Sequence, residues 1–335
     1  MSEWGVPNTP VDVIEPVTQQ PTDLIFTLIF NVVADLLAIY FAMRNLRTGR
    51  GDWRGATRIA VFVFLMNWGE GLFATHLSEV GLGGVLDDLF SGRAMGHSLM
   101  HAMEMWFDYV GLEPFVRRIW PRVLVSWTRL LKGRLRDPLV GRDLLVGVTL
   151  GCVVNLLGLA TFALGPRLGL GLVPALANPG MFEAIGGSGY AAVRVCYAGS
   201  VCMLTVLHGL FELLVLRLVT VRTDVALGLT AALNLFANAV VVAPAVGWKL
   251  ALVSSLFSTI AVVMVIRVGL LATVIASFVG LVLTFAAVTL DLSSWYGGLA
   301  LLPLGVLLAI SAYGTVTALA GKSILGDPLG EVERG

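Results

Sequence analysis

Charge is what this sequence has least of. Only 13% of its 335 residues are Asp, Glu, Lys or Arg, where a soluble domain carries roughly 25%. No such domain hides so much apolar surface in one or two cores. The chain also lacks any Lys or Arg in its first twenty residues, an acidic, proline-containing stretch without a basic n-region, so a signal peptide is not expected there and the first helix should itself direct insertion. Three cysteines, Cys152, Cys196 and Cys202, show no CxxC spacing and lie in apolar runs. Inert buried thiols are expected, not a disulfide framework or a zinc knuckle. A GxSxG elbow, a P-loop, a GxGxxG after a strand and HExxH are all missing, which leaves hydrolase, ATPase, dinucleotide and zincin readings without support. An enzyme is the less favoured class.

What is present is hydrophobic: 57% of the residues, with mean hydropathy +0.87. The runs exceed the roughly 18 residues that mark a spanning helix, and lipid tolerates only spans whose backbone is fully hydrogen-bonded. Helices are expected at about 24–43, 59–77, 94–113, 144–164, 191–216, 225–244, 249–265, 268–290 and 299–319. The fold class is therefore all-α, a polytopic transmembrane bundle of about nine spans. Only Arg267 parts two spans within 225–290, and Pro244 with Gly247 makes a very tight turn, so eight spans is the competing count.

Signs are segregated along the chain although the net charge is zero. Arg44, Arg47, Arg50, Arg54 and Arg58 follow the first run, and Arg117, Arg118, Arg122, Arg129, Lys132, Arg134, Arg136 and Arg142 follow the third. The intervening loops, around Glu79, Asp87 and Asp88, around 174–183 and around 291–298, are poor in Lys and Arg. The positive-inside rule then gives an N-out, C-in bundle, expected in a cell's inner (plasma) membrane. Segment 1–22 would be extracytoplasmic, 23–320 the membrane domain and 321–335 a cytoplasmic tail. Basic residues that follow topology in this way argue against nucleic acid as a partner.

Segment 115–142 is more than a loop. Trp120, Val123, Leu124, Trp127, Leu130 and Leu131 recur at helical spacing between Arg117, Arg118, Arg122, Arg129, Lys132, Arg134 and Arg136. Such a stretch should lie in the inner headgroup layer against anionic lipid, or serve as a docking surface for a cytoplasmic partner.

Two loop motifs, Arg44 to Ala56 (RNLRTGRGDWRGA) and Leu112 to Leu144 (LEPFVRRIWPRVLVSWTRLLKGRLRDPLVGRDL), resemble the multi-helix membrane region that follows the catalytic domain in certain large bacterial membrane-bound serine/threonine protein kinases. The resemblance is specific over about residues 24 to 165. Kinase activity does not come with it, because no VAIK-like lysine, HRD loop or DFG is present. The glycine-containing run Gly187 to Val193 is read as a flexible loop. What the resemblance implies is a stand-alone sensory or regulatory membrane domain working with a separate kinase.

Chemistry is concentrated in the third run, where His97, His101, Glu104 and Asp108 follow one another at spacings of four, three and four. At about 100° per residue they form one polar stripe. Charge at membrane depth usually faces a bundle interior or a water-filled cavity. Glu70 and His76 on the preceding, antiparallel run are expected at similar depths. His97, His101 and Glu104, with Glu70 or His76, could hold a transition metal, whereas Asp108 lies too far along the helix from His97 to share its ion. Met95, Met100, Met103 and Met105 crowd the same helix, mostly off the histidine face, and read as packing. A proton-responsive or transport cavity and a plain structural network are the other readings. Arg194, His208 and Glu212 form a second cluster, in which His208 and Glu212 pair at four-residue spacing. Asn31 with Asp35, and Asn234 with Asn238, should bond across helices. A transporter or metal-dependent membrane protein, and a structural subunit of a larger membrane complex, are the alternatives to the sensory domain.

Overall fold

The computed structural model describes residues 21–75, 90, 92–165, 167, 188–241, 243, 247–285 and 297–319. Among them no strand is found, and the long elements are all helices: α1 (Pro21–Arg47), α2 (Trp53–Thr75), α3 (Gly92–Ile119), α5 (Pro138–Leu164), α6 (Ser188–Thr220), α7 (Thr223–Val241), α8 (Trp248–Val268), α9 (Leu270–Phe285) and α10 (Leu301–Leu319), with a short α4 (Val125–Leu131) between α3 and α5. Each expected apolar run falls on one of these helices. Five, namely α5, α6, α7, α8 and α10, are long and apolar enough to cross a membrane; α9 is apolar but shorter. The polar stripe keeps α3 out of that set. His76 and most of the expected outer loops lie outside the described residues, as do the two chain termini.

The packing has a centre. Helix α6 touches α2, α3, α7, α8, α9 and α10, while α1 and α2 flank α3, and α5 lies against α9 and α10. A main apolar core, with Met105, Tyr109, Leu207, Phe211 and Leu270 almost wholly buried, is joined by two smaller clusters, one around Val279 and Leu307 and one around Leu213 and Ala226. Elsewhere the outer surface is aliphatic: Leu156, Leu308 and Val316 are each more than 60% exposed, which water would penalise and lipid would not. Of the loop expected over Gly187–Val193, Ser188 to Val193 are instead the opening turns of α6, and Gly187 lies outside the described residues. Ala191 and Val193 are buried there, and that burial favours the helix over a free loop.

Helix α3 does not end with its apolar run. It continues through Pro114 to Ile119, carrying Arg117 and Arg118, and Arg117 pairs with the buried Glu113 one turn back. A 3₁₀ turn (Pro121–Leu124) and α4 follow, with Val123, Leu124 and Trp127 no more than 2% exposed. The apolar stripe read for a headgroup layer is thus seated on the bundle itself, against α2, α5, α8 and α9. Ser126 donates a short hydrogen bond to Asp143 of α5, which also accepts from Arg142. Arg118, Arg122, Lys132, Arg134 and Arg136 remain exposed.

Asp137 closes this region. Its side chain accepts from the Leu139 amide at the start of α5 and takes both hydrogen bonds of Arg129 Nη1, at 2.8 and 2.7 Å. That guanidinium, with help from the helix amide, holds the Asp137 carboxyl below the usual carboxylate range. A lowered value means the stabilising contribution is present above the ordinary carboxylate range and is lost as the pH falls through the lowered value. Arg129→Met is therefore expected to shift the Asp137 titration upward, read by NMR of the carboxyl carbon, and to weaken the start of α5. An unchanged titration would leave the Arg129 bond without consequence.

Candidate functional site

Four ionisable residues were expected along one face of α3, and the structure divides them. His97 is exposed, and its Nε2 lies 3.1 Å from His101 Nε2; His101 Nδ1 lies 3.2 Å from Glu104 Oε2. Asp108, one turn deeper, is only 1% exposed. The stripe therefore runs from an open end to a closed one.

At the closed end α3 meets α6. His208 Nδ1 lies 3.7 Å from Asp108 Oδ2, so the imidazole turns across the interface instead of down its own helix to Glu212. One ligand atom each from Glu104, Asp108 and His208 fall within 4.8 Å of one another, and no other set of three His, Cys, Asp or Glu side chains does so among the described residues. The ligand set read from the sequence overlaps this group at one residue. Glu104 is retained, but His97, His101 and Glu70 lie outside the triad. The rest of that set, His76, is outside the described residues.

Arg194 is likewise separated from the cluster in which the sequence placed it. Fourteen residues of helix put it about 21 Å from His208 along the axis, where its guanidinium lies over the Tyr197 ring at 5.8 Å.

Around the triad the helices leave a cavity of about 1600 Å³. Its walls come from α1, α3, α5, α6, α7, α8 and α9, and are mostly apolar. Asp35 of α1 and Glu212 of α6 join Glu104 and Asp108 in the lining, with His101 and His208 as the imidazoles. No lysine or arginine lines it among the described residues. Two buried carboxylate oxygens here, Asp108 Oδ2 and Glu212 Oε1, have no hydrogen-bond partner. Asparagines complete the wall: Asn155 of α5 donates to the Gly280 carbonyl of α9 at 3.3 Å, and Ser255 of α8 donates to the Asn234 carbonyl of α7 at 3.3 Å. Asn238 bonds back to that same Asn234 carbonyl within α7, at 2.8 Å.

Neither Asp108 as a site residue nor its meeting with His208 was assigned from the sequence. The signal was divided between two polar faces, one on each of two helices far apart in the chain, and nothing local says that α3 and α6 touch. No known protein family, no curated protein and no solved structure matches the chain. The functional reading therefore rests on this geometry and the loop motifs.

Proposed function

We propose that this is a multi-pass protein of a bacterial inner membrane, with nine spans, its N-terminus outside and its C-terminus inside, that acts as a sensory or regulatory domain for a cytoplasmic serine/threonine kinase. The observation that carries the reading is the continuity of α3. One helix bears Glu104 and Asp108 in the cavity and Arg117 and Arg118 at its other end, about 14 Å further along the axis from Asp108. A change in charge or occupancy at the cavity acts on the same rod that leads into the basic segment. That segment is packed into the core through Trp127 and bonded to α5 through Ser126, so it follows the helices instead of drifting over them.

Support for the orientation comes from the loops. Asn45, at the end of α1, bonds to the α3 backbone near its C-terminal end, which brings the arginine-bearing junction of α1 and α2 toward the start of the 115–142 segment. Clustered arginines at one end of a bundle fit the cytoplasmic side. Five exposed cations within one segment, Arg118, Arg122, Lys132, Arg134 and Arg136, offer contacts to an acidic partner or to anionic lipid.

The test is co-purification with kinase activity from the native host. Wild-type protein in mild detergent is expected to carry a serine/threonine kinase, and reversing Arg118, Arg122, Lys132, Arg134 and Arg136 to Glu is expected to release it while helicity and elution volume are kept. Kinase-free wild-type protein, or retention by the reversed variant, would sink the reading. A second reading, transport of a cation, is favoured by the acid-rich cavity, and radiotracer uptake into proteoliposomes distinguishes it.

A further inference from the structure

The cavity has an imbalance that the surrounding helices do not correct. Four carboxylates and two imidazoles line it, no guanidinium or ammonium faces it among the described residues, and two of its buried carboxylate oxygens lack hydrogen-bond partners. Buried carboxylates normally pair with cations, bond to donors or coordinate metals. Here imidazoles alone serve among the described residues: His101 bonds Glu104, and His208 stands 3.7 Å from Asp108, beyond hydrogen-bond distance.

We propose that Glu104, Asp108 and His208 bind a divalent first-row transition metal of the manganese or zinc type. Three observations carry this independently of the acid count. The triad draws on two helices, as metal sites in helix bundles do. Its spacing is near what an ion imposes: bonds of about 2.0–2.2 Å put the ligand atoms of a tetrahedral site roughly 3.4 Å apart, and the atoms here lie within 4.8 Å, with His208 and Asp108 already at 3.7 Å. Asp108 Oδ2, on a side chain 1% exposed, points into the triad without a hydrogen bond.

His101 supplies the outer contact that such sites use. Its Nδ1 meets Glu104 Oε2 at 3.2 Å, which orients the carboxylate and leaves the other oxygen for the ion. Two carboxylates and one imidazole select against calcium and magnesium, which take oxygen alone, and against copper(I), which takes sulfur. The three protein ligands leave a fourth position toward the cavity, where water or a small ligand completes the shell. A divalent ion would neutralise both carboxylates at the depth where charge costs most.

The proposal deepens the sensory reading and rests on its cavity-bearing bundle, but its test does not involve the kinase, so either can fail alone. Purified full-length protein in detergent, stripped with chelator and titrated with Mn2+, Zn2+ or Mg2+, is expected to bind about one Mn2+ or Zn2+ per chain by elemental analysis. Asp108→Asn and His208→Gln should each weaken binding roughly tenfold or more, whereas His97→Leu should leave it unchanged. Wild type that binds neither ion, a preference for Mg2+, or full binding by Asp108→Asn would overturn the site. Should those variants fail to fold, the X-ray absorption spectrum of the zinc-loaded wild type decides: a shell of oxygens with one imidazole upholds the assignment, and a shell with none or with two overturns it.

Discussion

Replacing Gly147 and Gly151 together by Leu is expected to abolish the folded bundle, and Gly151→Ala alone to cost about 1–3 kcal/mol. These glycines lie four apart on α5, where α9 comes closest. A Cβ on Gly147 would stand 2.7 Å from the Ala272 carbonyl oxygen, and one on Gly151 would stand 2.7 Å from that of Ala276. Both obstacles are backbone, so the helices must part to make room. In lipid no hydrophobic force draws helices together; close packing of small residues does. Separating α5 from α9 therefore removes the contact and reopens the Asn155 bond to Gly280. Gly228→Ala on α7 is the opposing control, since its Cβ would meet nothing within 4 Å and a mid-helix glycine is destabilising by roughly 0.5–1 kcal/mol relative to alanine. Thermal melts followed by tryptophan fluorescence should fall for Gly151→Ala and rise for Gly228→Ala. Equal shifts would show that the α5–α9 contact is looser than the geometry says.

Asn45→Leu is expected to cost about 1–3 kcal/mol, the price of one stranded buried carbonyl. The reason lies in α3. Pro114 has no N–H, so the Val110 carbonyl loses its partner one turn on, and the ring disturbs the bond beside it. Asn45 Nδ2 donates to Val110 O and to Gly111 O, both at 2.9 Å, and is almost fully buried in doing so. An amide on α1 thus repairs a gap that proline opens in α3. Asn45→Asp should be worse than Leu, because a carboxylate would face two carbonyl oxygens. Pro114→Ala returns the missing N–H, so the double variant Asn45→Leu/Pro114→Ala should recover part of the loss. If the two losses simply add in a double-mutant cycle, the repair is not what Asn45 does.

How much of this was legible beforehand differs from feature to feature. The helices were found by their apolar runs, because each of those runs is helical whichever neighbour it meets. The α3 stripe was visible too, since spacings of four and three are geometry within one helix. Its partner was not. Adjacency in sequence pointed to Glu70 on α2, and α2 does pack on α3, yet the deepest acid, Asp108, meets His208 on α6. Tertiary contacts between distant helices leave no local trace. The glycines of α5 were missed for another reason: small residues add little to hydropathy, although their spacing is what permits the approach. Segment 115–142 showed its two faces plainly, but amphipathy says only that the apolar side is covered, not whether lipid or protein covers it.

Gly269 is the whole connection between α8 and α9, at φ +113°, in a conformation that side chains other than hydrogen rarely adopt. Val265, just before it, and Thr273 and Ala276, just after it, all belong to the cavity wall. With one residue and no slack between them, the two helices behave as the arms of a pair of dividers. A change in the angle between the arms would have to be taken up at that glycine and would reshape the wall that both build. Because that glycine stands close to the Val123 carbonyl of the basic segment, 3.6 Å from where its own Cβ would be, the wall of the cavity and the segment that follows α3 meet at one point.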